Sequence, residues 1–156
     1  MLTLAITLVA VTAQASSDVQ DPIAETMATY EKIRSLLADD KVEGLSKEAE
    51  RLAKVASDAA DRSQEALKAR FLAAAKAAVK VKEAKDLASA RLAFGDVSRE
   101  VVEILRTDPT LARGRYVYRC PMVKEGYALW VQAEKEISNP YMGKAMARCG
   151  GDAARD

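Results

Sequence analysis

The sequence predicts an all-α protein, a small up-down bundle of about four core helices with a C-terminal helical cap that carries cysteine and methionine. Apolar residues recur three and four positions apart through residues 21–106, which is the spacing that places side chains on one face of a helix. Alanine and other strong helix formers are frequent in that region. The 24 Lys and Arg residues balance the 23 Asp and Glu residues, as expected for solvated outer faces of a bundle.

The apolar stripes predict four helices, which begin near Asp21 and then occupy residues 41–60, 62–82 and 86–106. Asp21 followed by Pro22 has the form of an N-cap and a first helical residue. Asp108-Pro109 stops the fourth helix. A turn between the third and fourth helices is expected within residues 80–85, where the sequence offers charge but no Gly or Pro.

The N-terminal residues have the form of a signal peptide. Leu2 to Val11 is apolar but too short to span a bilayer, and Ala13 and Ala15 form a small-x-small cleavage site. Cleavage after Ala15 predicts a periplasmic or secreted protein that does not insert into the membrane. The expected divisions are a signal peptide (1–15), an N-terminal tail (16–20), a helical bundle domain (21–150) and a C-terminal tail (151–156).

Composition excludes several classes of function. The chain contains no histidine, which removes Ser-His-Asp and Cys-His catalysis and imidazole zinc sites. The formal net charge of +1 provides no broad field that would attract nucleic acid, and there is no Gly-rich phosphate loop. We therefore expect a protein that is not an enzyme and does not bind nucleic acid.

Sulfur-bearing side chains are concentrated between Tyr116 and Gly150. This segment holds both cysteines and three of the five methionines. The candidate metal ligands are Cys120, Met122, Met142, Met146 and Cys149. Pro121 favours an extended backbone at Cys120, which would place the side chains of Cys120 and Met122 on the same side.

A second group of sulfurs is expected on a short C-terminal helix. Asn139-Pro140 resembles a helix cap with proline at the first helical position, and glycines at 150 and 151 would end the helix. Met142, Met146 and Cys149 are then four and three positions apart and share one face. A further helix is predicted over residues 126–137, where Trp130 would shield the site and pack it against the bundle.

The residues allow two interpretations of this cluster. Thiolate and thioether ligands without imidazole favour a soft ion, so Cu(I) is the predicted metal and Ag(I) fits by the same argument. Structural zinc needs four Cys or His ligands, and the chain has two. Alternatively, Cys120 and Cys149 form a disulfide, since paired cysteines are common in exported proteins. That bond would close a loop of ~30 residues and contribute about 3 kcal/mol, in a structural or interaction module that binds no metal.

Several short motifs, in order, resemble a bacterial family. They are Arg91-x-x-Phe94-x-x-x-Ser98, Tyr118-x-Cys120-Pro121-Met122, Trp130, Ile137-x-Asn139-Pro140-Tyr141-x-Gly143 and Met146-x-x-Cys149-Gly150. Together they are similar to the bacterial domain of unknown function numbered 3347, over about residues 26–150. Domains of that family resemble small helical bundles, and they occur alone in exported proteins or fused to periplasmic adaptor subunits of copper and silver efflux pumps.

The resemblance implies a role in Cu(I) or Ag(I) handling or copper resistance. The partner it implies is a periplasmic metal efflux adaptor or another metal donor or acceptor. The positions that match the family's cysteines and methionines are Cys120, Met122, Met146 and Cys149, whereas Met142 would be an auxiliary ligand. The sequence shows no adaptor portion, so this chain is not expected to form an efflux conduit by itself.

Overall fold

The computed structural model describes residues 21–123 and 129–153. Most of these residues form helices, which confirms the prediction of a mainly helical protein. The four helices of this part of the chain are α1 (Pro22–Ala38), α2 (Leu45–Asp61), α3 (Glu65–Glu83) and α4 (Leu87–Thr107). The predicted signal peptide and N-terminal tail lie outside the described residues.

Side chains fix the helix starts where the sequence offers caps. The Asp21 carboxylate accepts a hydrogen bond from the Ile23 amide at 3.1 Å, as predicted for the start of α1. At the start of α4, the Ser89 amide donates to the Asp86 carboxylate at 2.7 Å, and the two residues form a capping box. Ala84 has extended backbone and ends α3, so the expected turn between the third and fourth helices is present.

Consecutive helices pack side by side, as the short connections between them require. The helices are lined by fully buried alanines, among them Ala56, Ala74 and Ala78, and such small side chains let helix axes approach closely. α1 and α4 make fewer direct contacts with each other. In the part of the chain that the structure describes, no helix combines the length and the apolarity needed to cross a membrane.

A small antiparallel sheet follows the helices, after a 3-10 turn at Pro109–Ala112. Its strands are β1 (Tyr116–Arg119), β2 (Leu129–Gln132) and β3 (Gly151–Asp152), in the order β2-β1-β3. Tyr118 pairs with Trp130 across one ladder, and Arg119 pairs with Gly151 across the other. The prediction of an all-α fold is therefore only partly right, because a small sheet accompanies the helices, and the paired strand β3 extends the described fold beyond residue 150.

The predicted helix over residues 126–137 is wrong where the structure describes it. Leu129–Gln132 is β2, and its residues Trp130, Val131 and Gln132 are all buried. A short run buried on both faces fits a helical or a strand template equally well, so periodicity could not separate them. Residues 124–128, which include the predicted start of that helix, lie outside the described residues.

A buried hydroxyl pair joins α1, α4 and β2. The Tyr30 and Ser98 hydroxyl oxygens lie 2.7 Å apart, and the Val131 amide donates to the Tyr30 oxygen at 3.1 Å. The Tyr30 ring stacks on Phe94 with 5.1 Å between the centroids. Because buried polar groups are costly unless they are hydrogen-bonded, these contacts fix where β2 lies on the bundle.

Candidate metal centre

The Cys120 and Cys149 sulfurs lie 3.9 Å apart, although 29 positions separate the two residues in the chain. Cys120 directly follows β1, and Cys149 lies two residues before the β3 residue Gly151. Because Gly151 pairs with Arg119, the antiparallel ladder brings the two cysteines to the same end of the sheet. No bond joins the two sulfurs in this structure.

The two thiols differ in their exposure. Cys120 is fully buried, and Cys149 is half-buried. Two effects raise the pKa of Cys149 above its ordinary value. The larger effect is partial burial, and the smaller is the hydrogen bond with the Cys120 thiol. The raised pKa favours the protonated thiol at Cys149, so a metal ion that binds this sulfur must displace its proton.

The distance between the sulfurs suits two kinds of chemistry. Metal–thiolate bonds of about 2.3 Å can join sulfurs that are up to about 4.6 Å apart, so one ion can bridge this pair. A disulfide requires a sulfur–sulfur distance of about 2.05 Å, so the thiols would have to move closer. A bridging ion therefore does not require the two sulfurs to approach each other, whereas a disulfide does.

The predicted methionine ligands are distributed differently from the expectation. Pro121 and Met122 form a turn, and the Met122 side chain is 57% exposed while Cys120 is buried. The expected extended backbone is therefore wrong at Pro121 and Met122, where the chain turns, and the assignment of Met122 as a ligand stays a prediction. Met146 is 40% exposed and lies one turn before Cys149, whose amide donates to the Met146 carbonyl at 3.0 Å.

The expected C-terminal helix is also wrong, since only a 3-10 turn at Gly143–Met146 forms in the described part of this segment. Met142 is half-buried and packs against the hydrophobic core. The helical spacing that was expected to align Met142 with Met146 and Cys149 therefore does not apply. The assignment of Met142 as an auxiliary ligand stays a prediction.

Asn139 organises the loop that ends in Cys149. Its side-chain oxygen accepts hydrogen bonds from the Tyr141 and Met142 amides, as an N-cap would. Its side-chain nitrogen donates to the Cys149 carbonyl at 2.6 Å, and its own amide donates to the Ala147 carbonyl at 2.9 Å. The sequence therefore indicated the capping bonds correctly, and the bond to Cys149 is the part it could not show.

A left-handed turn attaches the same loop to the bundle. Gly143 has φ +57°, and a side-chain carbon there would clash with the Asp40 carboxylate and the Arg91 guanidinium. Arg91 also donates to the Leu37 carbonyl at 2.8 Å, and it holds the pKa of Asp40 below its ordinary value. The loop that carries Cys149 is thereby fastened to the end of α1.

Trp130 lies beside the cysteine pair. It is fully buried, and a carbon added at Gly150 would lie 2.6 Å from the tip of the indole ring. The indole nitrogen donates to the Gln132 side-chain oxygen at 2.8 Å, which satisfies its one polar group. Trp130 is the chain's single tryptophan, so its fluorescence reports on this region.

Residues that hold the site in place were largely missed by sequence reasoning. Arg91 and Gly143 occur in the motifs quoted above, but nothing in their spacing indicated that they meet near Asp40. No sequence pattern pointed to Gln132, although its side-chain nitrogen donates to the Glu134 and Glu136 carbonyls. Such contacts between distant segments leave no periodic pattern in a single sequence.

No three side chains of the types His, Cys, Asp and Glu converge to hold a metal ion within residues 21–123 and 129–153. Comparison of the chain with protein-family models, with curated proteins and with solved structures found no match.

Proposed function

We propose that the protein binds Cu(I), or Ag(I), at the Cys120–Cys149 pair and serves in metal handling or resistance in the periplasm or outside the cell. The observation that carries the proposal is the 3.9 Å distance between the two sulfurs. Two thiolates at bridging distance, in a chain without histidine, favour a soft monovalent ion over zinc or magnesium. The proposed role is binding and transfer, with no enzymatic step.

Met122 and Met146 are the proposed thioether ligands. Large apolar side chains are usually buried, yet these two methionines are 57% and 40% exposed. Met122 is two residues from Cys120, and Met146 is three residues from Cys149. Exposed thioethers close in sequence to the two thiols would let a donor or acceptor protein, such as an efflux adaptor, reach the ion.

An anaerobic Cu(I) titration of the reduced protein against a chromophoric chelator tests the proposal. We expect one Cu(I) per chain, quenching of Trp130 fluorescence, and no competition from Zn(II). Replacing both cysteines with serine should abolish binding. Replacing Met122 and Met146 together with leucine should weaken binding and spare the fold, because the exchange nearly conserves volume.

Met27→Leu is the matched control for the methionine pair. Met27 is a buried core residue on α1, so its replacement with leucine makes the same chemical change away from the proposed site. Its Cu(I) affinity should equal that of the wild type. If the reduced wild-type protein does not bind Cu(I), the proposed function is refuted. If the double leucine variant binds Cu(I) with wild-type affinity, the assignment of Met122 and Met146 as ligands is refuted.

A structural disulfide is the second candidate function, and the same sulfur distance favours it. The raised pKa of Cys149 favours its thiol over the thiolate that would bind a metal. A bond between the two cysteines would tie β3 and the preceding loop to β1. Protein purified from the periplasm would then contain no free thiols, and adding Cu(I) would leave its stability unchanged.

A further inference from the structure

We infer that Asn139 is the positioning residue of the cysteine pair, because its side-chain nitrogen holds the Cys149 main chain where the thiol meets Cys120. The inference deepens the proposed function and rests on it where the pair is treated as a Cu(I) site. Asn139 is not a ligand in this account. It acts through Cys149.

Burial and hydrogen bonding single out Asn139. The residue is 0% exposed, so an unpaired amide group there would be costly. The 2.6 Å bond from its Nδ2 to the Cys149 carbonyl joins residues ten positions apart. The sheet fixes Gly151, and the 3-10 turn ends at Met146, so this bond restrains the stretch between two fixed points.

The two ends of the Asn139 amide have separate tasks. The oxygen shapes the start of the loop by accepting from the Tyr141 amide at 2.8 Å and the Met142 amide at 3.1 Å. The nitrogen reaches across to Cys149. Asn139→Asp therefore keeps the acceptor and removes the donor, which separates loop formation from the positioning of the thiol.

The proximity of the two thiols can be measured without metal, by equilibration with reduced and oxidised glutathione. The protein dithiol and glutathione disulfide give the protein disulfide and two reduced glutathiones. Two S–H bonds break and one S–S bond forms in the protein, while the S–S bond of glutathione disulfide breaks and its two sulfurs take up the two hydrogens. The equilibrium constant measures how well the fold holds Cys149 against Cys120.

Asn139→Asp is expected to lower this constant about tenfold, which corresponds to about 1.4 kcal/mol. Tyr141→Phe is the matched control. It removes a buried-loop hydrogen bond, from the Tyr141 hydroxyl to the Leu129 carbonyl, that does not touch Cys149. A general loss of stability would lower the constant in both variants, whereas loss of positioning lowers it only in the aspartate variant.

Cu(I) affinity of the same variants separates the two hypotheses. If the wild type binds Cu(I), Asn139→Asp should bind about tenfold more weakly and Tyr141→Phe should bind equally well. If the wild type does not bind Cu(I), the proposed function is refuted, and the glutathione equilibrium still tests whether Asn139 positions Cys149. An Asn139→Asp constant equal to that of the wild type would overturn the inference.

Wild-type protein provides a test that needs no folded variant. One hydrogen of the Asn139 side-chain amide lies in the bond to Cys149, so its exchange with solvent deuterium should be strongly slowed. The exposed Gln64, at the N-terminus of α3, provides the reference rate. Exchange of both Asn139 amide hydrogens at that reference rate would also overturn the inference.

Discussion

The guanidinium of Arg91 and the carboxylate of Asp40 form an ion pair with 2.5 Å between Nη2 and Oδ1. Arg91 also donates from Nε to the Pro140 carbonyl at 2.9 Å, and Asp40 accepts from the Lys144 amide at 3.0 Å. The pair thus holds the loop that ends in Cys149 against α1 and α4. Arg91 is half-buried and Asp40 is exposed, and each of them also makes a hydrogen bond to the main chain.

Arg91→Met should destabilise the fold by about 1 to 3 kcal/mol, because it leaves the carbonyls of the buried residues Leu37 and Pro140 without their donor. Urea unfolding followed by circular dichroism measures the change. Arg106→Met is the matched control, since Arg106 pairs with Glu103 on an exposed helix surface. Exposed pairs contribute about 0 to 1 kcal/mol, so equal losses in the two variants would contradict the proposed importance of the Arg91 contacts.

Gly143→Ala should be more destabilising than Gly114→Ala. Both glycines have positive φ, +57° and +69°, so alanine costs about 1 to 2 kcal/mol of backbone strain at either position. At Gly114 an added carbon meets nothing within 4 Å, whereas at Gly143 it meets Asp40 and Arg91. We expect at least about 1 kcal/mol of additional loss at Gly143, measured as the difference in free energy of unfolding. Equal losses would show that the loop can shift away without cost.

Alkylation of Cys149 should be slow at neutral pH and accelerate at alkaline pH. The thiolate is the reactive form, and the raised pKa of Cys149 keeps that form scarce until the pH exceeds the ordinary thiol pKa. The stabilisation linked to this proton is fully present below the ordinary thiol pKa and is lost as the pH rises through the higher folded value. Mass spectrometry of iodoacetamide adducts measures the rate, and unfolded protein supplies the reference. A rate that has already levelled off at pH 7 would contradict this.

Stability should fall when the pH rises above 10.0, the ordinary pKa of tyrosine. Burial raises the pKa of Tyr30 and Tyr141, so the unfolded chain releases these protons first. The associated stability is complete below the ordinary value and decreases as the pH rises toward the folded pKa values. In Tyr30→Phe one such group is gone, so its free energy of unfolding should decline less steeply with pH. Equal slopes would refute this linkage.

The helices could be predicted from the sequence because their signals are local. Asp21 caps α1 as the Asp-Pro pair predicts, and the stripes of α2, α3 and α4 run to within a few residues of the observed bounds. The sheet could not be predicted in this way. Its strands are two to four residues long and are stabilised by pairing with distant segments and by packing on α4.

The candidate site shows the same division between local and distant causes. The sequence identified Cys120 and Cys149 as residues that could meet, by assuming an extended segment and a short helix. They meet because Arg119 pairs with Gly151 and because Asn139 bonds to Cys149. The chemical type of the candidate ligands could be inferred from composition. The relative position of the two cysteines depends on a strand pairing that no short motif contains.

β2 lies against both α1 and α4, and it follows all four helices in the chain. During synthesis, the ribosome therefore produces Tyr30 about a hundred residues before Val131, whose amide bonds to the Tyr30 hydroxyl. The growing chain presents an unfinished apolar flank throughout that interval. The contacts of β2 with α1 and α4 can therefore close only after residue 132 has been synthesised.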